Sequence, residues 1–304
     1  MSRRGWTLFA AMSLIWGVPY LLIKVAVEEL SPTSLVLLRC GLSAAILLPW
    51  ALVRAEVRPV LRHWKPLLLF TALEMTGPWL LLAYAEQSLS SSLTGLLIAL
   101  VPMVAALAGR LAGEQDRLDV PRLTGMALGL AGVAAVLGLD LRGGQALAVG
   151  AVALVVIGYG TAPLLVTRSL SGVPSTGISA VALTLTALVY LPFGGPTLVA
   201  DPLPSGRVVV AVVLLALVCT VAALLLFFAL IREVGPNRAL AITFVNPAVA
   251  VLVGILVLSE PLTGGMVVGF PLILLGCVLA TRRSRPRSTG SSWQDPVCEP
   301  VARS

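Results

Sequence analysis

Long apolar runs separated by short polar breaks set the plan of the chain. A bilayer is crossed by roughly twenty apolar residues in a helix. On that measure ten runs qualify, at about 6–27, 33–53, 66–86, 91–110, 120–139, 146–167, 173–195, 207–230, 237–258 and 264–281. The pattern predicts ten spans, five in each half. Several breaks carry proline (Pro32, Pro121, Pro174, Pro236, Pro261) and most are short, which makes consecutive helices antiparallel neighbours. The first run is longer than a signal-peptide core and lacks a small-x-small cleavage signal, so it reads as a span that stays. Residues 282–304 are polar and proline-bearing and read as a disordered tail.

Much of the apolar pattern is written twice. Ser91 to Gly132 and Pro236 to Ala280 share one plan. In each, an apolar run has a proline near its middle, an acidic residue closes the run, and a second apolar run has glycines seven apart. Pro102 and Pro247 differ by 145 positions, Glu114 and Glu260 by 146, Gly125 and Gly269 by 144, and Gly132 and Gly276 by 144. The fronts align as well: Trp16-Gly17, Pro19 and Lys24 are echoed by Tyr159-Gly160, Pro163 and Arg168 at offsets of 143, 144 and 144. A near-constant offset indicates a tandem duplication, with repeats at 6–139 and 146–281 followed by the tail.

Composition agrees with the membrane reading. Of 304 residues 58% are apolar and only 12% charged, with a mean hydropathy of +0.99, against about 25% charged in a soluble domain. Cys40, Cys219, Cys277 and Cys298 are scattered without a CxxC pair, and His63 is the one histidine, so neither a disulfide framework nor a metal site is expected. The net charge of +7 does not form a basic stripe. Topology explains it better than a nucleic-acid partner.

Five spans per half force the second half to enter the membrane inverted. With the N-terminus in the cytoplasm, 17 of the 21 lysines and arginines fall at cytoplasmic ends. Arg142 and Arg207 fall outside, and Lys24 and Arg39 lie within spans. The link between spans two and three holds four cations, whereas its counterpart between seven and eight holds only Arg207. That is the positive-inside rule acting on an inverted repeat, with both termini cytoplasmic. The expected fold is an all-α polytopic membrane protein, ten transmembrane helices as two inverted five-helix repeats.

One ordered set of residues resembles a known family. Trp16-Gly17, Lys24 eight residues after the tryptophan, Ser31-Pro32, Arg39 early in span two, and the duplicated proline span ending in Glu114 or Glu260 resemble the EamA-type domain of the drug/metabolite transporter superfamily, over residues 7–281. The resemblance implies a ten-helix inverted-repeat carrier, usually an exporter of amino acids, other small metabolites or drugs. Two features depart from the family pattern: no tryptophan stands in the second half where Trp16 stands in the first, and Glu74 lies within span three.

Carriers of this architecture bind substrate near the midplane, where broken helices free backbone groups. Candidate breaks are Gly17/Pro19, Gly77/Pro78, Pro102, Gly160/Pro163 and Asn246/Pro247. The symmetry-related pairs Pro19 with Pro163 and Pro102 with Pro247 are candidate hinges or gates, although proline can also merely kink a membrane helix for packing. A charge at a helix centre costs about 2.5–3.5 kcal/mol on the lenient scale. Glu74, eight residues from Pro66 and twelve from Glu86, is near the middle of its span and is expected to face the bundle interior. Its alternative is a structural ion pair with Lys24 or Arg39. Those two cations read either as anchors reaching to the interface or as cavity cations. Trp16, Trp79 and Tyr84 offer stacking surfaces, Thr243 and Asn246 polar contacts, and each has packing as its alternative. Glu114 and Glu260, at helix ends, read as interfacial structure. The seven-spaced glycines read as close helix contacts, within the chain or in a homodimer.

The sequence therefore points to a multi-pass cell-membrane transporter, not an enzyme, that moves a small metabolite outward by alternating access and needs no cofactor. No Walker lysine motif is present to bind a nucleotide. The alternatives are a non-transporting membrane subunit, a lipid-handling protein or, with one histidine and no paired intramembrane aspartates, a membrane-embedded enzyme.

Overall fold

The computed structural model describes residues 1–113, 120–140, 145–235, 239 and 241–281. Glu114, Arg117, Arg142, Pro236, Arg238 and the tail 282–304 lie outside the described residues. Among those described, the regular structure is entirely helical. Ten long helices follow one another: α1 (Arg3–Ala26), α2 (Pro32–Val53), α3 (Trp64–Glu86), α4 (Ser91–Leu111), α5 (Val120–Asp140), α6 (Ala146–Ser169), α7 (Ser175–Ala200), α8 (Gly206–Val234), α9 (Ile242–Leu258) and α10 (Gly264–Ala280). A short helix, Val57–Leu61, lies in the link between α2 and α3. Eight of the ten are long and apolar enough to cross a membrane, while α9 and α10, at 17 residues each, are shorter. At ~1.5 Å per residue they reach about 25 Å, less than the ~30 Å hydrocarbon core. Against the ten full spans expected from sequence, α9 starts later than residue 237 and α10 is left at the length its glycine-led start and Thr281 end allow.

The helix starts follow local chemistry. Ser31, Ser90, Ser205 and Thr263 each turn a side-chain oxygen onto a backbone N–H of the first turn of α2, α4, α8 and α10. Glu29 reinforces the start of α8, accepting from Ser205 N at 2.6 Å and Ser205 Oγ at 2.7 Å. Those hydrogen bonds hold its carboxyl below the usual carboxylate range. α8 stops at Gly235, whose φ of 81° ends the helix in the left-handed region.

The bundle has two ends. Ser2 with Glu233, and Arg168 with Ala112, meet at the end that carries the N-terminus. Lys24 with Glu86, Glu29 with Ser205, and Glu260 with Ser91 meet at the opposite end. In packing, α2 lies along α7, α5 along α10 and α4 against α9; α1 packs on α8 and α9, and α6 on α3 and α4. The second half of α1 also meets α3 and the start of α4 at the opposite end, whereas among the described residues α6 makes at most slight contact with α8 and α9.

α5 and α10 touch backbone to backbone. A Cβ on Gly276 would lie 2.5 Å from Gly129 N and 2.6 Å from Gly125 O, and one on Gly132 would lie 2.9 Å from Gly269 O. The seven-spaced glycines thus face one another inside the chain. Gly276→Val should destabilise the fold by about 1–3 kcal/mol or more, because backbone atoms cannot yield as side chains do. Gly41→Ala, with nothing within 4 Å of its Cβ, should be neutral. Thermal unfolding in detergent compares the two.

Candidate functional site

α3 and α8 each change for one turn into a wider π-helix, at Ala72–Thr76 and Leu217–Ala222. In α3 the cause is Pro78, which has no N–H and whose ring crowds the carbonyl four residues earlier, that of Glu74. The turn widens, and Gly77 N–H bonds back to Ala72 O. No proline acts in α8; there Thr220 donates its hydroxyl to Leu215 O at 2.9 Å. Neighbouring helices satisfy carbonyls at both places. Tyr190 of α7 donates to Thr76 O at 2.8 Å, and Ser43 of α2 donates to Ala216 O at 3.0 Å. π turns occur frequently at functional sites.

Arg39 of α2 bridges the second turn and Trp79, three residues past the end of the first. It is buried, its guanidinium lies 3.6 Å over the ring of Trp79, and its Nε donates to Thr220 Oγ1 at 3.2 Å. A desolvated cation over an indole is held by the ring's negative face. Trp79 is itself 9% exposed and lies within hydrogen-bonding reach of the Tyr159 hydroxyl, which also faces Glu74, Tyr20 and Arg39. Glu74 stands in the first π turn, half-buried. Among the described residues it has neither hydrogen-bond nor ion-pair partner. The ion pair with Lys24 or Arg39 considered from sequence is therefore not formed. Lys24 instead donates to Glu86 O at 2.6 Å and Leu89 O at 2.9 Å, placing its charge on the carbonyls that end α3, where a cation suits the helix dipole.

The other sequence candidates scatter around this centre. Trp16 packs on Phe227 with ring centroids 4.8 Å apart. Gly17 serves close contact: a Cβ there would lie 2.4 Å from Val249 and 3.1 Å from Asn246 O. Gly160 does the same against Val104 at 2.7 Å. Thr243 and Asn246 lie one turn apart on α9, both half-buried, and Asn246 Oδ1 is buried with no hydrogen-bond partner among the described residues. Tyr84 is 43% exposed and is not brought to the Arg39–Trp79 centre. The hinge candidates divide: α1 breaks at Val18 just before Pro19, and α4 breaks at Ala99 and Leu100 just before Pro102, whereas α6 and α9 run on through Pro163 and Pro247.

Four further polar groups belong to this picture without having stood out in the sequence: Tyr20, Tyr159, Thr220 and Glu86. Tyr159 carried a signal, since it occupies in the second half the place of Trp16 in the first. Nothing local marks Thr220 or Tyr20 within their apolar helices, and Glu86 enters the sequence reading only as the end of span three. Among the described residues no group of three or more His, Cys, Asp or Glu is placed to hold a metal ion. An apolar groove between α1 and α8, lined by Leu14, Val18, Leu22 and Leu214, holds none of the candidates.

The pattern of the EamA-like transporter family matches the chain twice, over residues 3–138 and 146–282. The chain belongs to the EamA-like transporter family. With its apolar helices, this makes it a multi-pass membrane protein of a transporter family, within the drug/metabolite transporter superfamily. Among its relatives is the uncharacterized inner membrane transporter YedA of Escherichia coli K12, 29% identical over 89% of this chain and 88% of that one. An uncharacterized transporter of Archaeoglobus fulgidus is 24% identical over 93% of this chain and 99% of that one. A solved crystal structure shares the fold at a TM-score of 0.63 and 19% identity, covering 92% of this chain and 97% of the other.

Proposed function

We propose that this EamA-family protein is a secondary transporter of the inner membrane that exports a small amino-acid-like or drug-like metabolite by alternating access. The observation that carries the reading is the pair of π turns, with Arg39 set between Thr220 of the second and Trp79 just past the first. The turns sit at matching places in the two halves, Ala72 and Leu217 being 145 apart and Thr76 and Ala222 146 apart. A regular membrane helix has no backbone groups to spare, so a π turn is where a span can both bend and offer polar contacts at depth. Beside it stand one carboxylate without a partner among the described residues (Glu74), one stacked guanidinium (Arg39) and the Trp79 and Tyr159 rings. Opposite charges beside aromatic faces suit a small zwitterion or a planar amphiphile.

Two inverted five-helix repeats account for the packing. Under the offset, α1 on α8 and α9 corresponds to α6 on α3 and α4, and α2–α7, α4–α9 and α5–α10 are each their own counterparts. One inequality between the halves bears on the transport cycle. α1 closes on α3 and α4 at the opposite end, while its counterpart closure of α6 on α8 and α9 is lacking among the described residues. We read this as a state shut at the opposite end and loose at the end carrying the N-terminus, which with a cytoplasmic N-terminus is an inward-facing one. Purified protein in proteoliposomes, offered amino acids and lipophilic cations in turn, should show saturable counterflow of at least one class. Absence of flux for every compound, or chemical conversion in place of movement, would overturn the reading.

A further inference from the structure

Glu86 is the last residue of α3 and is fully buried, at 0% exposure, and among the described residues neither carboxyl oxygen has a side-chain hydrogen-bond partner. The charged groups acting on it are Lys24 and Glu260, and the Lys24 main chain also lies within its reach, but among the described residues neither charged side chain is bonded to its carboxyl. Lys24 is held by the main-chain carbonyls of Glu86 and Leu89. Glu260 accepts from both N–H groups and both hydroxyls of Ser91 and Ser92, which occupies all its bonding directions. That arrangement is built in. Ser259, at φ 54°, turns Glu260 back toward α4, and Gly254 leaves the space, since a Cβ there would lie 2.9 Å from Ser91 Oγ. Tyr20 on α1 completes the titratable groups near Glu86; Arg39 on α2 and Tyr159 on α6 face the π turn deeper in the bundle.

An ionised carboxylate buried without a counter-ion bonded to it costs several kcal/mol, which a neutral carboxyl largely avoids. The side-chain donors nearby are committed elsewhere, the ammonium to carbonyls and the serines to Glu260, which leaves the carboxyl no more than the Lys24 main chain. We propose that Glu86 is a proton-binding site that gates this end of the bundle. With the end closed the carboxyl carries a proton and Lys24 rests on the α3 carbonyls. When the end opens, the proton leaves to water, and the hydrated carboxylate takes Lys24 as its counter-ion. One proton is bound on closing and released on opening, so acid favours the closed end and rising pH favours the open one. The inference rests on the transporter reading only in calling this motion a gate; proton binding is testable without any substrate.

Two measurements on the purified full-length protein test it. In pH-titrated infrared spectra, the wild type should show at neutral pH a carboxylic-acid carbonyl band that Glu86→Gln lacks and Glu74→Gln keeps. Should Glu86→Gln fail to fold, Glu86→Asp serves, and the band should shift in frequency. A band indifferent to changes at residue 86, or no band, overturns the proposal. In a Cys298→Ser background, Thr94→Cys places a thiol at a position 0% exposed in the closed state. Its labelling by a water-soluble maleimide, relative to unfolded protein at the same pH, should rise by up to about tenfold per pH unit, and Glu86→Gln should leave it low and flat. A flat wild-type response, or an identical rise in Glu86→Gln, overturns the gating step whether or not a substrate has been found.

Discussion

Glu74→Gln is expected to cut transport sharply, leave the fold intact and change the pH dependence of the flux that remains. Glutamine keeps the shape and one acceptor of the glutamate but removes the charge. A hydrogen bond to a charged group is worth about 1.5–3 kcal/mol, so losing the one a substrate ammonium or a coupled proton makes here should reduce flux by roughly ten- to a hundredfold. Stability should barely move, because Glu74 has no hydrogen-bond or ion-pair partner among the described residues for the substitution to strand. Flux in proteoliposomes across a pH series, beside thermal unfolding of the same preparation, separates the outcomes. Lost stability partly rescued by neutralising Lys24 or Arg39 would show a structural ion pair in another state of the cycle. Full transport with an unchanged pH profile would remove Glu74 from the mechanism and leave Arg39, Trp79 and the α9 polar residues to carry it.

The sequence discloses the helices well because a span must be long and apolar, and that requirement is written in every residue. The glycines were equally legible in kind: only residues without a Cβ allow α5 and α10 to approach as Gly125, Gly132, Gly269 and Gly276 do. Glu74 and Arg39 stood out because a charge in an apolar run is expensive, and the structure places both at the π turns. What stayed hidden depends on partners far apart in the chain. Nothing local distinguishes Thr220 from other threonines in apolar helices; its meaning comes from Arg39, 181 residues away. The π turn in α3 could have been suspected from Gly77-Pro78, whereas the one in α8 has no breaker to announce it. Lys24 was open between interface anchor and cavity cation, and what no local pattern disclosed is that its ammonium rests on the carbonyls at the end of another helix. Equal prolines also behave unequally, since Pro19 and Pro102 follow breaks that Pro163 and Pro247 do not cause. Proline removes one hydrogen bond, and neighbouring helices decide whether the span then yields.

Arg39→Lys keeps the charge and should nonetheless damage the protein more than any other single-residue change of equal net charge in the centre. The ammonium is a compact point charge that lacks the planar face lying 3.6 Å over Trp79 and has no counterpart of Nε to reach Thr220 at the same time. A desolvated cation–π contact is worth about 2 kcal/mol, so stability should fall by that order and flux by about tenfold or more. Trp79→Phe retains an aromatic face and should be milder, while Trp79→Leu should approach Arg39→Lys. If the two residues act as one unit, Arg39→Lys combined with Trp79→Leu should cost much less than the sum of the separate changes. Thr220→Val tests the other arm, because it removes both the acceptor for Arg39 and the hydroxyl bonded to Leu215 O. If the coupling of the two π turns matters for movement between states, that variant should slow flux more than it lowers stability. Additive costs in the double variant, with flux tracking stability throughout, would mean that Arg39 fastens the bundle together and takes no part in the transport step.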